Sequence, residues 1–251
     1  MSEDLSRFKK LDFEGFKRLA EDSSLTMYEQ IGFPSSYREG YERAIFADIV
    51  SKLPNLESTS RTIVDIGPGC TELPRFLIQL CEEKQHQLVL IDSAEMLRHL
   101  PDVPCVTKVA ARFPHECSDI IRTYAGRVDV VLSYSVLHYV FVEASVFDYL
   151  DQGMELLAPG GEMLLGDVPN ISKRKRFFSS AAGISFHQQF MRTTDAPSVR
   201  FNVLEGGEID DSVLIGLMMR ARLAGFDAYV TSQGRDLPMA NRREDLLVRR
   251  P

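Results

Sequence analysis

The chain has 251 residues, 44% hydrophobic and 26% charged, with a formal charge of −7 at neutral pH. That length buries a full core and suits one α/β domain with embellishments, and the balance excludes a disordered or fibrous chain. The acidity argues against a general nucleic-acid binder, whose phosphate contacts need a basic field.

The start, MSEDLSRFKKLDFEGF, carries acids and no apolar stretch, so no secretory signal is expected. No apolar run approaches the roughly 20 residues that cross a bilayer, so the cytoplasm is the default location. Asp12 is placed to cap a first helix with Phe13, Phe16 and Ala20 on one face. Ser36-Tyr37-Arg38-Glu39 fits a capping box for a second helix, along which Tyr41, Ile45, Ile49 and Leu53 recur before Pro54.

From residue 61 strands alternate with helices. Thr62–Ile66 is a short β-branched run ending at glycines, and Leu73, Phe76, Leu77 and Leu80 then mark a helix that tolerates Pro74 in its first turn. Leu88–Ile91, Val106–Ala110 and Val128–Ser133 read as buried strands, with a short helix around Glu95–Leu100. A helix is expected over Ala144–Leu157, a turn at Pro159-Gly160-Gly161 and a fifth strand over Met163–Val168. Residues 171–209 read as an insertion with a helical portion near Phe177–Met191. A helix over Asp211–Ala224 closed by Gly225, and strands at Ala228–Ser232 and Asp245–Arg249, complete the pattern. Strands apolar on both faces and alternating with helices imply a parallel sheet covered on both sides, and a final antiparallel pair fits it.

In such a sheet ligands bind where strands end, near the reversal of strand order. The first strand ends at Asp65-Ile66-Gly67-Pro68-Gly69, whose glycines let the backbone turn and approach a ligand. The second ends at Asp92, twenty-five residues past Gly67, where an acid accepts hydrogen bonds from ribose hydroxyls; an exposed strand-end acid is the alternative. Glu72 stands where a nicotinamide fingerprint wants its third glycine, and Asp65 precedes the first. A pyrophosphate is poorly served there; a cationic amino-acid cofactor is not. The four cysteines (Cys70, Cys81, Cys105, Cys117) show neither a CxxC pair nor zinc spacing and read as reduced thiols.

VDIGPG followed by LIDSAEML resembles the first two motifs of the class I S-adenosylmethionine-dependent methyltransferases. VDVVLSYSVLHYV resembles their fourth-strand motif and LLAPGGEMLLGD their helix–turn–fifth-strand motif, in order over Arg61–Asp167. The resemblance implies a doubly wound, mostly parallel, seven-stranded Rossmann-like sheet. Residues 1–60 are then a helical cover and 61–251 the methyltransferase domain, with 171–209 as a lid-like insertion. It implies S-adenosylmethionine as cofactor, with Gly67, Pro68 and Gly69 passing its methionine and ribose portions and Asp65 tolerated by its positive charge. It further implies Asp92 on the ribose hydroxyls, Ser93 and Met96 beside the adenine, and adenine contacts from Ala111, Arg112 and Phe113. The acid common in that last loop is missing here. Met96 and Phe113 are equally readable as core. Ser133 is implied near the methionine portion, and Asp167 is either a crevice residue or a structural cap.

His138, five residues past Ser133, is the candidate general base, since a pKa near ~6.5 suits proton removal from a hydroxyl; the alternative is a packed histidine. No Asn/Asp-Pro-Pro-aromatic tetrapeptide and no Pro-Cys follow the fourth strand, and no acid cluster resembles a magnesium site, so no nucleic-acid partner and no metal are expected. IGFPSSYREGYE and LPMANRREDLL resemble segments of methyltransferases of bacterial surface-sugar gene clusters. Lys173-Arg174-Lys175-Arg176 follows the fifth strand in an otherwise acidic chain, either a solvated charge run or a site for an anionic acceptor at Lys173, Arg174 and Arg176. His187 in the insertion is a further acceptor candidate. The reading is O-methylation of a small anionic molecule such as a sugar or phosphorylated sugar. The alternatives are an N- or C-methyltransferase, a catalytically silent adenosylmethionine-binding module and, disfavoured, a nicotinamide oxidoreductase.

Overall fold

The structure, a computed structural model, describes residues 11–203 and 205–251. Seven strands, β1 (Thr62–Ile66), β2 (Gln87–Asp92), β3 (Val106–Ala110), β4 (Val128–Tyr134), β5 (Leu157–Pro169), β6 (Asp227–Ser232) and β7 (Arg243–Arg249), form one sheet in the order β3-β2-β1-β4-β5-β7-β6. β1 to β5 pair in parallel, and β7 runs antiparallel between β5 and β6. The expected antiparallel pair is therefore a single reversed strand flanked on both sides. Strand order reverses between β1 and β4, which opens a crevice above their carboxyl ends.

Successive residues of a strand point to opposite faces, and both faces are apolar here. Val64, Val89 and Ile91 pack on one side with Tyr149 and Leu150 of α9 (Val146–Leu156) and Leu214 and Leu217 of α12 (Asp211–Leu223). Ile63, Leu88 and Leu90 pack on the other with Ile45 and Ile49 of α4 (Glu42–Lys52) and Leu73 and Leu77 of α5 (Glu72–Lys84).

Before the sheet come α1 (Phe13–Glu21), α2 (Met27–Gln30), α3 (Ser35–Arg38) and α4. Asp12 caps α1, accepting from the Gly15 amide at 2.7 Å, as its position predicts. The capping box in this region belongs to Thr26 and Glu29 on α2. The single helix expected from Ser36 is divided, because Gly40 takes φ +84° and α4 starts afresh at Glu42; the Ser36 side chain lies outside the described residues. Tyr41 is consequently exposed rather than part of the Ile45–Ile49–Leu53 stripe.

Pro159-Gly160-Gly161 forms no free turn but a bulge within β5: Val128 pairs with Leu157 and Val130 with Glu162. A Cβ on Gly161 would sit 2.8 Å from the carbonyl oxygens of Val128 and Ala158, so only glycine allows that approach. The remaining helices are α6 (Ala94–Leu97), α7 (Ser118–Tyr124), α8 (Leu137–Glu143), α10 (Ile171–Phe178) and α11 (Ala181–Met191). No helix among the described residues is long and apolar enough to cross a membrane.

Candidate active site

The loop after β1 lets Gly67 and Gly69 adopt φ of +72° and +68°, and with Pro68 they form one wall of the crevice. A Cβ on Gly67 would lie 2.6 Å from Val136 Cγ2, so the first constraint on this glycine is the neighbouring β4–α8 loop. Asp92, ending β2, accepts from the amides of Gly69 at 3.0 Å and Ser93 at 2.7 Å. A carboxylate has about four lone-pair positions, so two remain for the crevice. Met96, Ala111, Arg112 and Phe113 also line it, and the Phe113 ring meets Tyr149 edge-on at 5.2 Å.

Three residues expected at the cofactor stand behind the wall. Asp65 is buried within β1, the Ser93 hydroxyl caps α6 by accepting from Met96 at 3.2 Å, and Ser133 bonds the Tyr149 hydroxyl at 2.7 Å. None of the three lines the crevice. β4 runs one residue further than its sequence pattern indicates, and Ser135 supplies the lining in place of Ser133.

Burial first, and then the charge of Asp92, push the Asp65 carboxyl up to about 8, while burial lifts Asp92 to about 6 against the lowering effect of its two amide donors. The crevice floor is thus short of positive charge. The missing acid near the adenine loop has a counterpart that no local motif announces. Glu143 of α8 reaches the crevice and pairs with Arg112. From above, α1 contributes Phe13 and Phe16, and Phe16 meets Tyr139 edge-on at 4.7 Å.

Beside the crevice, where β4 and β5 end and β7 begins, lies a smaller polar chamber lined by Phe33, Arg38, Tyr134, Asp167, Met239 and Arg243, among others. Ser135 and Asp167 both hold positive φ, +63° and +57°, a backbone state that costs a non-glycine residue about 1–3 kcal/mol and collects at functional sites. The Ser135 hydroxyl donates to the Asp167 carboxylate. Arg243 Nη1 donates to the Asp167 carbonyl at 2.8 Å, and Gln233 Nε2 to Asp167 Oδ1 at 3.3 Å. Beneath them Lys52 donates to the fully buried Asp245 at 2.7 Å, and Asp245 accepts the Asp167 amide at 2.8 Å.

His138 sits in the first turn of α8, outside the crevice lining, its ring 3.9 Å from that of Tyr139. Burial, then Arg243 and Arg38, hold its pKa well below the usual value, so it is neutral at physiological pH. Its Nδ1 is buried with no hydrogen-bond partner among the described residues.

The basic run occupies α10 and lines neither cavity. Lys173 donates to the Arg243 carbonyl at 2.8 Å, Lys175 pairs with Glu205 at 2.6 Å, and Arg176 pairs with Asp211. Arg174 lies over the Phe178 ring at 5.5 Å, and His187 of α11 faces the same ring at 6.2 Å. No residue of 171–209 lines the crevice. No group of three or more His, Cys, Asp or Glu among the described residues is arranged to hold a metal ion.

Comparison of folds decides what kind of scaffold this is. The plantazolicin methyltransferase BpumL, solved with a triazolic desmethyl-plantazolicin analogue and S-adenosylhomocysteine, superimposes with TM-score 0.57 at 13% identity, over 100% of this chain and 99% of that one. The chain has the fold of the S-adenosylmethionine-dependent methyltransferases. This methyltransferase fold is also found in the carbon methyltransferase of CurJ (TM-score 0.55, 15% identity, 94% of this chain and 67% of that one). A methyltransferase from Aquifex aeolicus shares it as well (0.52, 13%, 96% and 99%). No family model matches the sequence, and no curated protein matches it either. On the methyltransferase fold observed here, Gly67–Gly69 and Asp92 stand at adjacent strand ends beside the order reversal, and the polar chamber stands on the far side of β4.

Proposed function

We propose that the protein transfers the methyl group of S-adenosylmethionine to a hydroxyl of a small anionic acceptor. Such molecules include the sugar or phosphorylated-sugar intermediates implied by the sequence resemblance. The observation that carries this reading is the Asp92 carboxylate, fixed by the Gly69 and Ser93 amides beside Gly67 and Phe113. Two residual acceptor positions there suit paired ribose hydroxyls, and Ala111–Phe113 and Met96 offer an apolar slot for a base. Asp92, raised by burial only to about 6, stays ionised at neutral pH and favours a ligand that brings positive charge over a pyrophosphate, whereas Asp65, raised to about 8 behind the wall, is mostly protonated. When bound, the cofactor supplies an electrophilic methyl on a sulfonium. The acceptor oxygen forms the new C–O bond, the C–S bond breaks with its electron pair kept by sulfur, and the hydroxyl proton leaves. His138 is the candidate base for that proton, since its Nδ1 is unpartnered among the described residues and its ring neutral. It stands outside the crevice lining, and the burial and arginines that keep it neutral oppose its protonation, so transfer to it requires a bridging group.

Calorimetry with S-adenosylhomocysteine, and mass spectrometry of ligand co-purifying with the protein, test the cofactor. A folded protein that binds neither S-adenosylhomocysteine nor S-adenosylmethionine ends the proposal. Binding without turnover on hydroxylated anions supports a silent binding module. For His138, His138→Ala is expected to lower kcat by about 100-fold with cofactor affinity kept. Because the imidazole is already neutral, wild-type kcat should show no histidine limb between about pH 6 and 8. A loss under tenfold leaves positioning of the acceptor as the whole of catalysis.

A further inference from the structure

Arg38 is 6% exposed, yet its Nη2 is buried with no hydrogen-bond partner, and its nearest acid, Glu42 Oε1, stands 4.0 Å from Nε. The guanidinium carbon lies over the rings of Phe33 at 5.1 Å and Tyr134 at 5.5 Å. Arg243 lies against the same Phe33 ring at 6.0 Å, 8% exposed. The two cations reach this place from segments two hundred residues apart, IGFPSSYREGYE and LPMANRREDLL. Phe33, Arg38 and Tyr134 line both the chamber and the crevice, so the two spaces adjoin across these side chains.

A guanidinium only donates, so whatever completes Arg38 must accept. The neighbouring acids are engaged: Asp167 by Ser135, Arg243 and Gln233, and Asp245 by Lys52, Gln233 and the Asp167 amide. Glu42 is buried with neither carboxylate oxygen hydrogen-bonded among the described residues, desolvation raises its carboxyl, and at 4.0 Å from Nε it leaves Arg38 Nη2 unpaired. His138 is neutral beside both arginines. The chamber is ≈10 Å³, about the space of one water molecule, so a ligand group meets Arg38 from the crevice, where the nearby Glu42 and Asp92 carboxyls favour a singly charged group over a phosphate dianion. The planar guanidinium fork matches a carboxylate.

We propose that Arg38, where it lines the crevice, is an acceptor subsite: backed by Arg243 in the chamber behind it, it seats a carboxylate while the rest of the acceptor lies in the crevice over Tyr134 and Ser135. The proposal rests on the methyltransferase reading and specifies its acceptor as a carboxylic acid with a hydroxyl elsewhere in the molecule. The carboxylate is the anchor and not the methylated group, because its oxygens are turned onto the arginines.

The test uses acetate as probe on protein labelled with ¹⁵N-arginine and saturated with S-adenosylhomocysteine. The Arg38 Nε–Hε resonance, assigned through Arg38→Lys, should move saturably with acetate. Neutral acetamide, of the same shape, should bind at least about tenfold more weakly. The paired variant Arg38→Met/Glu42→Gln removes both charges together and should lose acetate binding by at least about tenfold with S-adenosylhomocysteine binding kept. Equal response to acetate and acetamide, or acetate binding unchanged in a folded paired variant, overturns the subsite. Inorganic phosphate binding more tightly than acetate overturns the carboxylate assignment. Should the paired variant fail to fold, the acetate-to-acetamide ratio of the wild type decides alone. S-adenosylhomocysteine is titrated first: its failure to bind strikes the methyltransferase reading, and acetate titration of the free protein still decides the subsite.

Discussion

The crevice over β1–β3 and the chamber over β4, β5 and β7 are built in opposite ways. One side of the crevice is formed by three local loops, 67–69, 92–96 and 111–113, each following its own strand, and its other side by the cover and the segment after β4. The chamber gathers Phe33, Arg38, Tyr134, Asp167 and Arg243 from four segments that meet only in the folded chain. One half is local and backbone-centred, suited to a ligand common to many enzymes. The other is assembled from side chains on the cover, the sheet and the loop before β7, where a change of residue leaves the 67–69, 92–96 and 111–113 loops untouched.

Substitutions that act on one half and spare the other sharpen this contrast. The largest effect is expected from Gly67→Val. Its Cβ meets Val136 at 2.6 Å and its φ is +72°, so strain and overpacking combine, and cofactor affinity measured by calorimetry should fall at least about 100-fold. Asp92→Ala should cost about 1.5–3 kcal/mol of cofactor binding, the scale of hydrogen bonds to a charged group. Unchanged affinity in the folded variant would break the contrast at its better-defined end.

Asp65→Asn comes next and reports on stability. The folded carboxyl is raised to about 8 from 3.8, so the stability it contributes is full below about pH 3.8 and is lost as pH rises toward 8. The melting temperature of Asp65→Asn should therefore exceed that of wild type by a margin that widens from pH 4 to 8 and then levels. A constant margin would mean that Asp65 is already compensated. The smallest effect is expected from changing Lys173, Arg174 and Arg176 together to Gln. Two of them hold structural partners and the third stacks on Phe178, so acceptor KM should move less than about twofold. A large rise in KM would transfer the acceptor site to α10 and dissolve the contrast.

The same division explains what the sequence made legible. β1 and β3 have the extents their apolar runs predict, and the other strands differ at their ends, because period and glycine breaks are local signals. Asp92 and the glycines were readable for that reason. α7 and α8 were not anticipated. α7 buries only Ile121, and the run LHYVFVE of α8 is apolar without a helical period, so both depend on tertiary packing. Glu143, Arg38 and Arg243 carry no motif, and only the fold brings them to the two cavities. Conversely the cation run on α10 stands out in sequence because its partners, Glu205, Asp211 and Glu244, lie at least thirty residues away.

The position of β7 between β5 and β6 has a consequence for synthesis on the ribosome. Strands β1 to β5 can pair as they emerge, and the cofactor loops belong entirely to that portion. β6 has no neighbour until residues 243–249 are made, and the same stretch delivers Arg243 to Asp167 and Asp245 to Lys52 on α4. A nascent chain stopped before β7 thus exposes an open edge on β5, which invites chaperone capture, and leaves Lys52 with Asp48 as its partner in place of the Asp48–Asp245 pair. The two cavities accordingly mature in order, the glycine crevice while translation continues and the arginine chamber only with the closing strand.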